Sequence, residues 1–512
     1  KSAGRKAVDL DTILVEEVGQ FGKYQITTLL LAALPVIFSA FASGEYIFTT
    51  ARIPSRCLIP QCDTENPEYA PPWILNAVPG TSASNFDNCA RFANRSLGAQ
   101  RSAQCPAEWF DRSRTEPCHA YVYENTLSVF DMACEEWRRS LIGTIRTIGT
   151  LLVLPVTGYV SDRWGRRVAL TLNAFNTAVC WYRPTVTELV GPRYRVVAGA
   201  TMSTMFALGQ VLLGLIAWGV PSWRPLSQVL YAPQLLVVSY FWILSESVRW
   251  LLSKGKFEEA ERILKKVAKR NNKELSQKSL DALRHNAEHE KTAEGAREPW
   301  LPLLVLRSRV VLARCLVSPV WWITNTLVYY GMSINAVNLS GNRYLNYVSV
   351  AAVEVPGYWT AILLLDRVGR KPVLVGAYLL CALSVCIISK EIKCFFVCLL
   401  GNEGIALAVY LVGKYSIAVV MTSVYVYTAE LYPTKYRHSL FAFSSMIGRL
   451  GSITAPLTPA LVSVWEPFPS VLFGGFALLS GLLVLTTPET LGTRLPDTME
   501  EAERLGSARP TI

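Results

Sequence analysis

A chain of 512 residues in which 51% are apolar and only 17% charged, with 14 Trp and a mean hydropathy of +0.27, has more apolar surface than one soluble core can hide. That composition excludes an ordinary soluble enzyme and predicts an all-α polytopic membrane protein. The net charge of +11 calls for no nucleic-acid partner, because Lys/Arg-rich loops kept on the cytoplasmic side of a bilayer produce the same excess.

In chain order, residues 1–23 are polar and carry Asp9, Asp11, Glu16 and Glu17, without the basic start and small-residue cleavage site of a signal peptide. They predict a cytoplasmic N-terminal segment, followed by a first transmembrane helix over 24–47. Residues 48–138 are mostly polar and hold Cys57, Cys62, Cys89, Cys105, Cys118 and Cys134 together with the acceptor sequence Asn94-Arg95-Ser96. Beyond the first span, this pattern predicts an extracellular disulfide-rich loop glycosylated at Asn94. Zinc is the rival reading, but the loop has no Cys-x-x-Cys pair and its one histidine is His119. The pairing stays open. The other cysteines, Cys180, Cys315, Cys381, Cys386, Cys394 and Cys398, lie in apolar stretches as core or lipid-facing residues.

The apolar run 140–160 is long enough to cross a hydrocarbon core of ~30 Å as a helix. It ends in Gly158-Tyr159-Val160-Ser161-Asp162-Arg163-Trp164-Gly165-Arg166-Arg167, whose arginines fix a cytoplasmic loop. The pattern returns after a second apolar span as Asp366-Arg367-Val368-Gly369-Arg370-Lys371, so the chain contains two copies of one unit. Residues 139–245 complete the N-terminal helix bundle, with spans near 196–218 and 226–244. A cytoplasmic loop over 246–300 includes an amphipathic helix near 257–266. Residues 301–487 form a C-terminal six-helix bundle with spans near 311–331, 346–365, 373–389, 405–428, 439–462 and 469–487. A cytoplasmic tail covers 488–512.

Spacing between landmarks compares the two halves. Glu188 to Glu246 is 58 residues and Glu430 to Glu489 is 59, but Asp162 to Glu188 is 26 where Asp366 to Glu430 is 64. At ~1.5 Å per helical residue, the longer interval allows two crossings and the shorter only one. Both ends of the short interval are Arg-rich and belong in the cytoplasm, which requires an even number of crossings. The first bundle is therefore expected to lack most of helices 3–4, giving about 11 spans. Either 168–184 dips into the membrane and returns, or the chain is a shortened form of a longer protein. The second is preferred, because irregular backbone exposed to lipid leaves peptide groups unsatisfied.

A loop pairing Asp162 and nearby helix ends with Arg163, Arg166 and Arg167 can lock neighbouring helices, with Gly165 supplying a tight turn. Asp366, Arg367, Gly369 and Arg370 repeat the device, and Glu246, Arg249, Glu430, Arg437 and Glu489 extend one cytoplasmic charge network. These are expected to be gating residues; the plainer reading is that they cap helices and set topology.

These motifs, together with Glu246-Ser247-Val248-Arg249-Trp250-Leu251, Tyr427-Thr428-Ala429-Glu430-Leu431-Tyr432-Pro433-Thr434 and Pro488-Glu489-Thr490-Leu491-Gly492, resemble the organic cation, organic anion and carnitine transporter family of the major facilitator superfamily. The resemblance covers nearly the whole chain. It implies a major facilitator fold of two six-helix bundles, here with the first one shortened. It also implies a central cavity open alternately to each side, a plasma-membrane location, and facilitated or ion-coupled movement of small organic ions.

Ionisable residues inside the membrane point to the substrate, because a buried charge is costly and usually faces a cavity or a partner. Arg449, in the eleventh helix by family count, attracts a carboxylate, and the resemblance implies that anion and carnitine carriers have an arginine here where cation carriers have an aspartate. Glu354 in the eighth helix and Glu45 near the outer end of the first add acids, while Tyr358 stands where the resemblance implies a lysine in many anion carriers. One basic and two acidic groups suit a carnitine-like or β-amino-acid zwitterion. The resemblance puts Tyr329 and Tyr330 on the cavity side, where their rings can stack on an ammonium group. Trp321 and Trp322 are weaker candidates, and Asn325 and Gln210 serve equally well as interhelical hydrogen bonders.

Enzyme readings find no support. His285 and His289 are four apart but sit in a charged loop without further ligands. Gly413-Lys414 has Ala408 where a phosphate loop needs its leading glycine. No cofactor or metal is expected, and no row of carboxylates singles out a coupling ion. The alternatives to a carrier are a non-transporting receptor or scaffold and an inactive isoform lacking a helix.

Overall fold

The computed structural model describes residues 10–19, 21–51, 54–82, 85–95, 104–124, 132–169, 195–293, 301–388, 403–434, 436–462, 464–465, 467–493, 496 and 498–505. Most of the interval expected to be a helix short, Asp162 to Glu188, lies beyond residue 169 and so outside the described residues, as do residues 1–9, Ser96, Cys180, Cys394, Cys398 and 506–512.

Nine helices among the described residues are long and apolar enough to cross a membrane. In the first half they are α1 (Lys23–Thr49), α2 (Glu136–Trp164), α3 (Arg195–Gly219) and α4 (Trp223–Ile243). After the amphipathic α5 (Phe257–Arg270) come α6 (Arg309–Asn335), α7 (Arg343–Leu365), α8 (Arg370–Ile388), α9 (Glu403–Leu431), α10 (Arg437–Thr454), α11 (Phe468–Leu485) and the short α12 (Met499–Arg504). The helix α10 is not among the nine, because Arg437, His438, Arg449 and its serines leave its 18 residues too polar on average. It is nevertheless part of the second bundle. Helices of this kind bond their whole backbone internally, which is what a lipid environment demands. Leu152, Trp242, Leu316, Leu363, Leu383 and Leu482 point outward and are exposed, as lipid-facing residues are.

Two spans are irregular for local reasons. The predicted span 226–244 is α-helical over Trp223–Tyr231, tightens to a 3-10 helix over Ala232–Ser239, and regains one α-turn at Tyr240–Ile243. Pro233, at the start of the tight stretch, has no N–H to give to an α-helix. In α7 the helix breaks at Val353 between Arg343–Ala352 and Glu354–Leu365. Pro356 withholds its N–H and its ring blocks the carbonyl four residues earlier, which is that of Ala352. The break leaves Glu354 as the first residue of a helical segment inside the membrane.

Packing in the second bundle relies on small residues. Along α10, Ser444, Gly448 and Gly451 face α6, where Ser318 and Ser444 hydroxyls lie 2.7 Å apart and Thr326 Oγ1 donates to the Gly448 carbonyl at 2.5 Å. A Cβ on Gly448 would sit 2.8 Å from Trp322 Cβ. Without a hydrophobic drive between helices in lipid, such close backbone approach is what holds them together. The tail is tied to the same helix by buried Arg314 of α6, which donates to the carbonyls of Ala502 at 2.6 Å and Leu505 at 3.2 Å.

The described residues between 54 and 134 fold as a small domain of three two-stranded antiparallel sheets, pairing Ser55–Cys57 with Tyr121–Tyr123, Gly80–Ser82 with Asn85–Phe86, and Ala90–Asn94 with Phe110–Pro117. All six cysteines are paired, as Cys57–Cys118, Cys62–Cys105 and Cys89–Cys134. Its core is small, so these crosslinks do much of the holding. A buried Arg56–Asp63 pair, at 2.6 and 2.8 Å through both guanidinium branches, lies under Trp73. Asn94 ends the third strand pairing.

At the opposite end of the helices, Leu10, Ile13, Leu14 and Val18 of the N-terminal segment pack on Leu264, Val267 and Ala268 of α5. Asn271 fastens the join, accepting from Tyr24 N at 2.9 Å and donating to the Val18 carbonyl at 3.1 Å. Residues 10–18 and helix α5 therefore share one side of the molecule.

Candidate functional site: a buried charge centre and two matching locks

The first feature lies in the middle of the second bundle. Lys414 of α9 and Glu354 of α7 form an ion pair at 2.9 Å with both side chains fully buried. The Glu354 Oε2 accepts from the Tyr329 hydroxyl at 2.6 Å and from the Tyr358 hydroxyl at 2.9 Å. The ammonium also donates to the Tyr329 carbonyl at 2.9 Å and the Ser333 hydroxyl at 2.7 Å, and stands 3.7 Å from the Tyr329 ring centre. Such a pair survives burial only with this density of further hydrogen bonds. Gln210 of α3 links the cluster to the first half, donating to the Tyr329 hydroxyl and accepting from that of Tyr347, both at 3.4 Å. Glu354 thus has a protein cation as its partner. Lys414 was passed over in the sequence as part of a failed phosphate loop, although a lone lysine in an apolar span is itself a signal.

The remaining substrate candidates are spread around this centre. Tyr330 stands edge-on to Tyr329, with ring centres 5.2 Å apart, and lies within electrostatic reach of half-buried Arg449. Asn325 is fully buried; its amide nitrogen is 3.0 Å from Met421 Sδ, and its Oδ1 has no hydrogen-bond partner. Trp321 and Trp322 are core residues of the second bundle, packed on Tyr427 and on Tyr425 and Phe441. Glu45 is held within the first half, accepting from Ser227 at 3.1 Å and Tyr231 at 3.3 Å.

The second feature is a device built twice. Gly165 has φ +107° and Gly369 φ +118°, a backbone region that side chains rarely tolerate. Each turns the chain so that the next two N–H groups, at the start of a helical segment, point at one glutamate. Arg166 N and Arg167 N donate to Glu246 at 2.8 and 3.2 Å, while Arg370 N and Lys371 N donate to Glu489 at 3.0 Å each. A carboxylate suits a helix N-terminus, where free donors and the dipole both favour negative charge. Arginines add side-chain ties: Arg166 to Asp162 at 2.5 Å, and Arg370 to Asp366 at 3.1 Å and to Glu430 at 3.2 Å. Glu430 in turn accepts from Thr490 at 2.6 Å.

Each lock lies within its own half. Arg163 reaches the Tyr159 hydroxyl at 3.2 Å, Arg367 is exposed, and Arg437 donates to Thr434 at 3.1 Å. Arg249 follows Ser247, which caps its helix through Trp250 N. The Trp250 indole donates to the Asp162 carbonyl at 3.0 Å, joining that helix to the lock.

The halves meet toward the end that carries the disulfide domain. Phe48 stacks on Tyr344 and meets Tyr347 edge-on, Trp218 lies parallel to Tyr344, and the Thr144 hydroxyl donates to the Ile453 carbonyl at 3.3 Å. Nearer mid-membrane, Ala207 of α3 packs on Tyr358 and Ala418.

A profile of the family described as sugar (and other) transporter matches residues 219–502. The organic cation transporter protein of Drosophila melanogaster is 30% identical over 536 residues, covering 96% of this chain and 94% of its own length. Solute carrier family 22 member 7 of Bos taurus is 30% identical over 545 residues, 96% of each chain. Among solved structures, the inward-open conformation of the xylose transporter XylE from E. coli, at 17% identity, covers 74% of this chain and 91% of that one with a TM-score of 0.54, a likeness of fold. These relatives are transporters and not enzymes. The chain is a multi-pass membrane transporter with the major facilitator fold, and it belongs to the organic cation, organic anion and carnitine transporter family.

Proposed function

We propose that this transporter carries small organic ions bearing a carboxylate, carnitine-like or β-amino-acid-like zwitterions foremost, across the plasma membrane by alternating access. The observation that carries the reading is Arg449, a half-buried cation in α10 within electrostatic reach of Tyr330. With Glu354 neutralised by Lys414, the charge balance around the aromatic pair favours an anionic group on the substrate. An ammonium group on the same molecule would stack on the Tyr330 ring. The printed names of the relatives, an organic cation transporter and members of solute carrier family 22, support the organic-ion class.

Both termini and the 246–300 loop lie in the cytoplasm, and the disulfide domain lies outside with Asn94 glycosylated. Contacts between the halves at the disulfide-domain end make this a state closed to the outside. Release of the two glutamate locks accompanies the rocking of the bundles. The first bundle is shortened, as the short spacing from Asp162 to Glu188 implies; the alignments to relatives, at 536 and 545 residues, require gaps somewhere along this chain.

Uptake of labelled carnitine, β-alanine and tetraethylammonium into expressing cells tests the reading. Arg449→Ala is expected to lower carboxylate uptake at least ~10-fold, the worth of a hydrogen bond to a charged group, at an unchanged amount of surface protein. Equal uptake by this variant and the unaltered chain would remove the carboxylate assignment.

A further inference from the structure

We propose that Arg146 of α2 is a second substrate-binding residue, contributed by the first half near its contact with the second, that takes the carboxylate of the transported ion; this rests on the carrier reading above. Arg146 is the one charged residue between Arg139 and Asp162. An arginine inside an apolar span is costly unless it faces a cavity or a partner.

Its neighbours show which way it faces. Gly143, three residues earlier and so on the same side of the helix, packs on Tyr46 of α1 and on Pro456 of the second half, where an added Cβ would lie 2.8 Å from Tyr46 Cε2 and 2.7 Å from Pro456 Cβ. Arg146 therefore lies about one turn deeper on the helix face that carries Gly143, the residue that touches the other half. Its guanidinium carbon is 5.2 Å from the centre of the Tyr46 ring.

No carboxylate pairs with it among the described residues, and its Nη1 is buried without a hydrogen-bond partner. The acid next to Tyr46, Glu45, is taken up by Ser227 and Tyr231. A guanidinium carries five donors in a planar fork suited to a carboxylate. Here one face is covered by an aromatic ring and a buried donor is left over, a costly arrangement unless an anion completes it. Across the interface, Tyr330 lies within electrostatic reach of both Tyr46 and Arg449. Each half thus contributes one arginine and one tyrosine that interact electrostatically.

The alternative is that Arg146 only packs on Tyr46. Kinetics of uptake into cells separate the two, using labelled carnitine and para-aminohippurate as carboxylates and tetraethylammonium as a cation without one. Arg146→Met is expected to raise KM for the carboxylates about 10- to 100-fold, with the maximal rate, the surface amount and the tetraethylammonium KM within about two-fold of the unaltered chain. Arg146→Lys, which keeps the charge but loses the fork, is expected to raise the carboxylate KM by a smaller factor, and it decides the matter if the methionine variant does not reach the surface. Unchanged carboxylate KM values, or an equal loss for all three probes, overturn the proposal. If the unaltered chain carries tetraethylammonium alone, the carboxylate reading falls and this site falls with it. If it carries carnitine and the variants show no selectivity, only the role of Arg146 falls.

Discussion

Lys414→Met is expected to destabilise the protein by about 3–5 kcal/mol, because it leaves the fully buried Glu354 carboxylate without its cation. Both side chains are fully buried, so solvent screening does not reduce the effect. Glu354→Gln strands the ammonium in the same way, although the Tyr329 carbonyl and Ser333 remain as acceptors. Thermal melting of purified protein and the fraction reaching the cell surface measure the loss. The double variant Glu354→Gln/Lys414→Met removes both charges and is expected to recover most of the stability, because a neutral pair of similar volume is often as stable as the ions it replaces. If the double variant folds but does not transport, the pair works in the cycle and not only in the fold. Single variants that melt like the unaltered chain would show that this pair is not a buried charge centre.

Gly165→Ala and Gly369→Ala are expected to produce the second large loss. Each substitution forces a side chain into a positive-φ conformation costing roughly 1–3 kcal/mol, and each puts a Cβ against a glutamate carboxylate. At Gly369 that Cβ would lie 2.8 Å from Glu489 Oε2. The carboxylate must withdraw from the two N–H groups it accepts, and the lock opens. Initial uptake rates corrected for surface amount should fall about 10-fold or more, as expected when hydrogen bonds to a charged group are lost, and to a similar degree for the two variants because the device is duplicated. Normal uptake by either would contradict a role for the locks in the transport cycle.

The turn and charges of each lock were legible in the sequence because they are local and repeated, whereas the glutamates that accept from them lie 80 and 119 residues away and were legible only as charges. Gly165-Arg166-Arg167 and Gly369-Arg370-Lys371 display their turn residue and charges in a row, and Glu246 and Glu489 sit at matching distances from their landmarks. The disulfide domain was legible as a count of cysteines behind a first span, but not in its pairing, since nothing in the spacing selects Cys57 for Cys118. The charge centre was only half legible. Glu354 stood out as an acid in an apolar span, but its partner lies 60 residues away on α9 and is set by how α7 and α9 pack. Lys414 and Arg146 carried the same signal as Glu354, a lone charge in an apolar run. That signal identifies a residue but does not say what it faces. Nor could composition foresee that Trp321 and Trp322 pack inward in the second bundle, because aromatic residues fit a cavity wall and a core equally well.

One measurement bears most directly on the duplication of a single lock on one face of the membrane. Arg163 and Arg367 are exposed at equivalent places in the two copies, so Arg163→Cys and Arg367→Cys can be probed with a membrane-impermeant thiol reagent, read over the signal of the unaltered chain. Both sites are expected to stay unlabelled in intact cells and to label once the membrane is opened. Labelling of one from outside and the other only from inside would place the two copies on opposite faces and contradict the architecture on which the carrier mechanism depends.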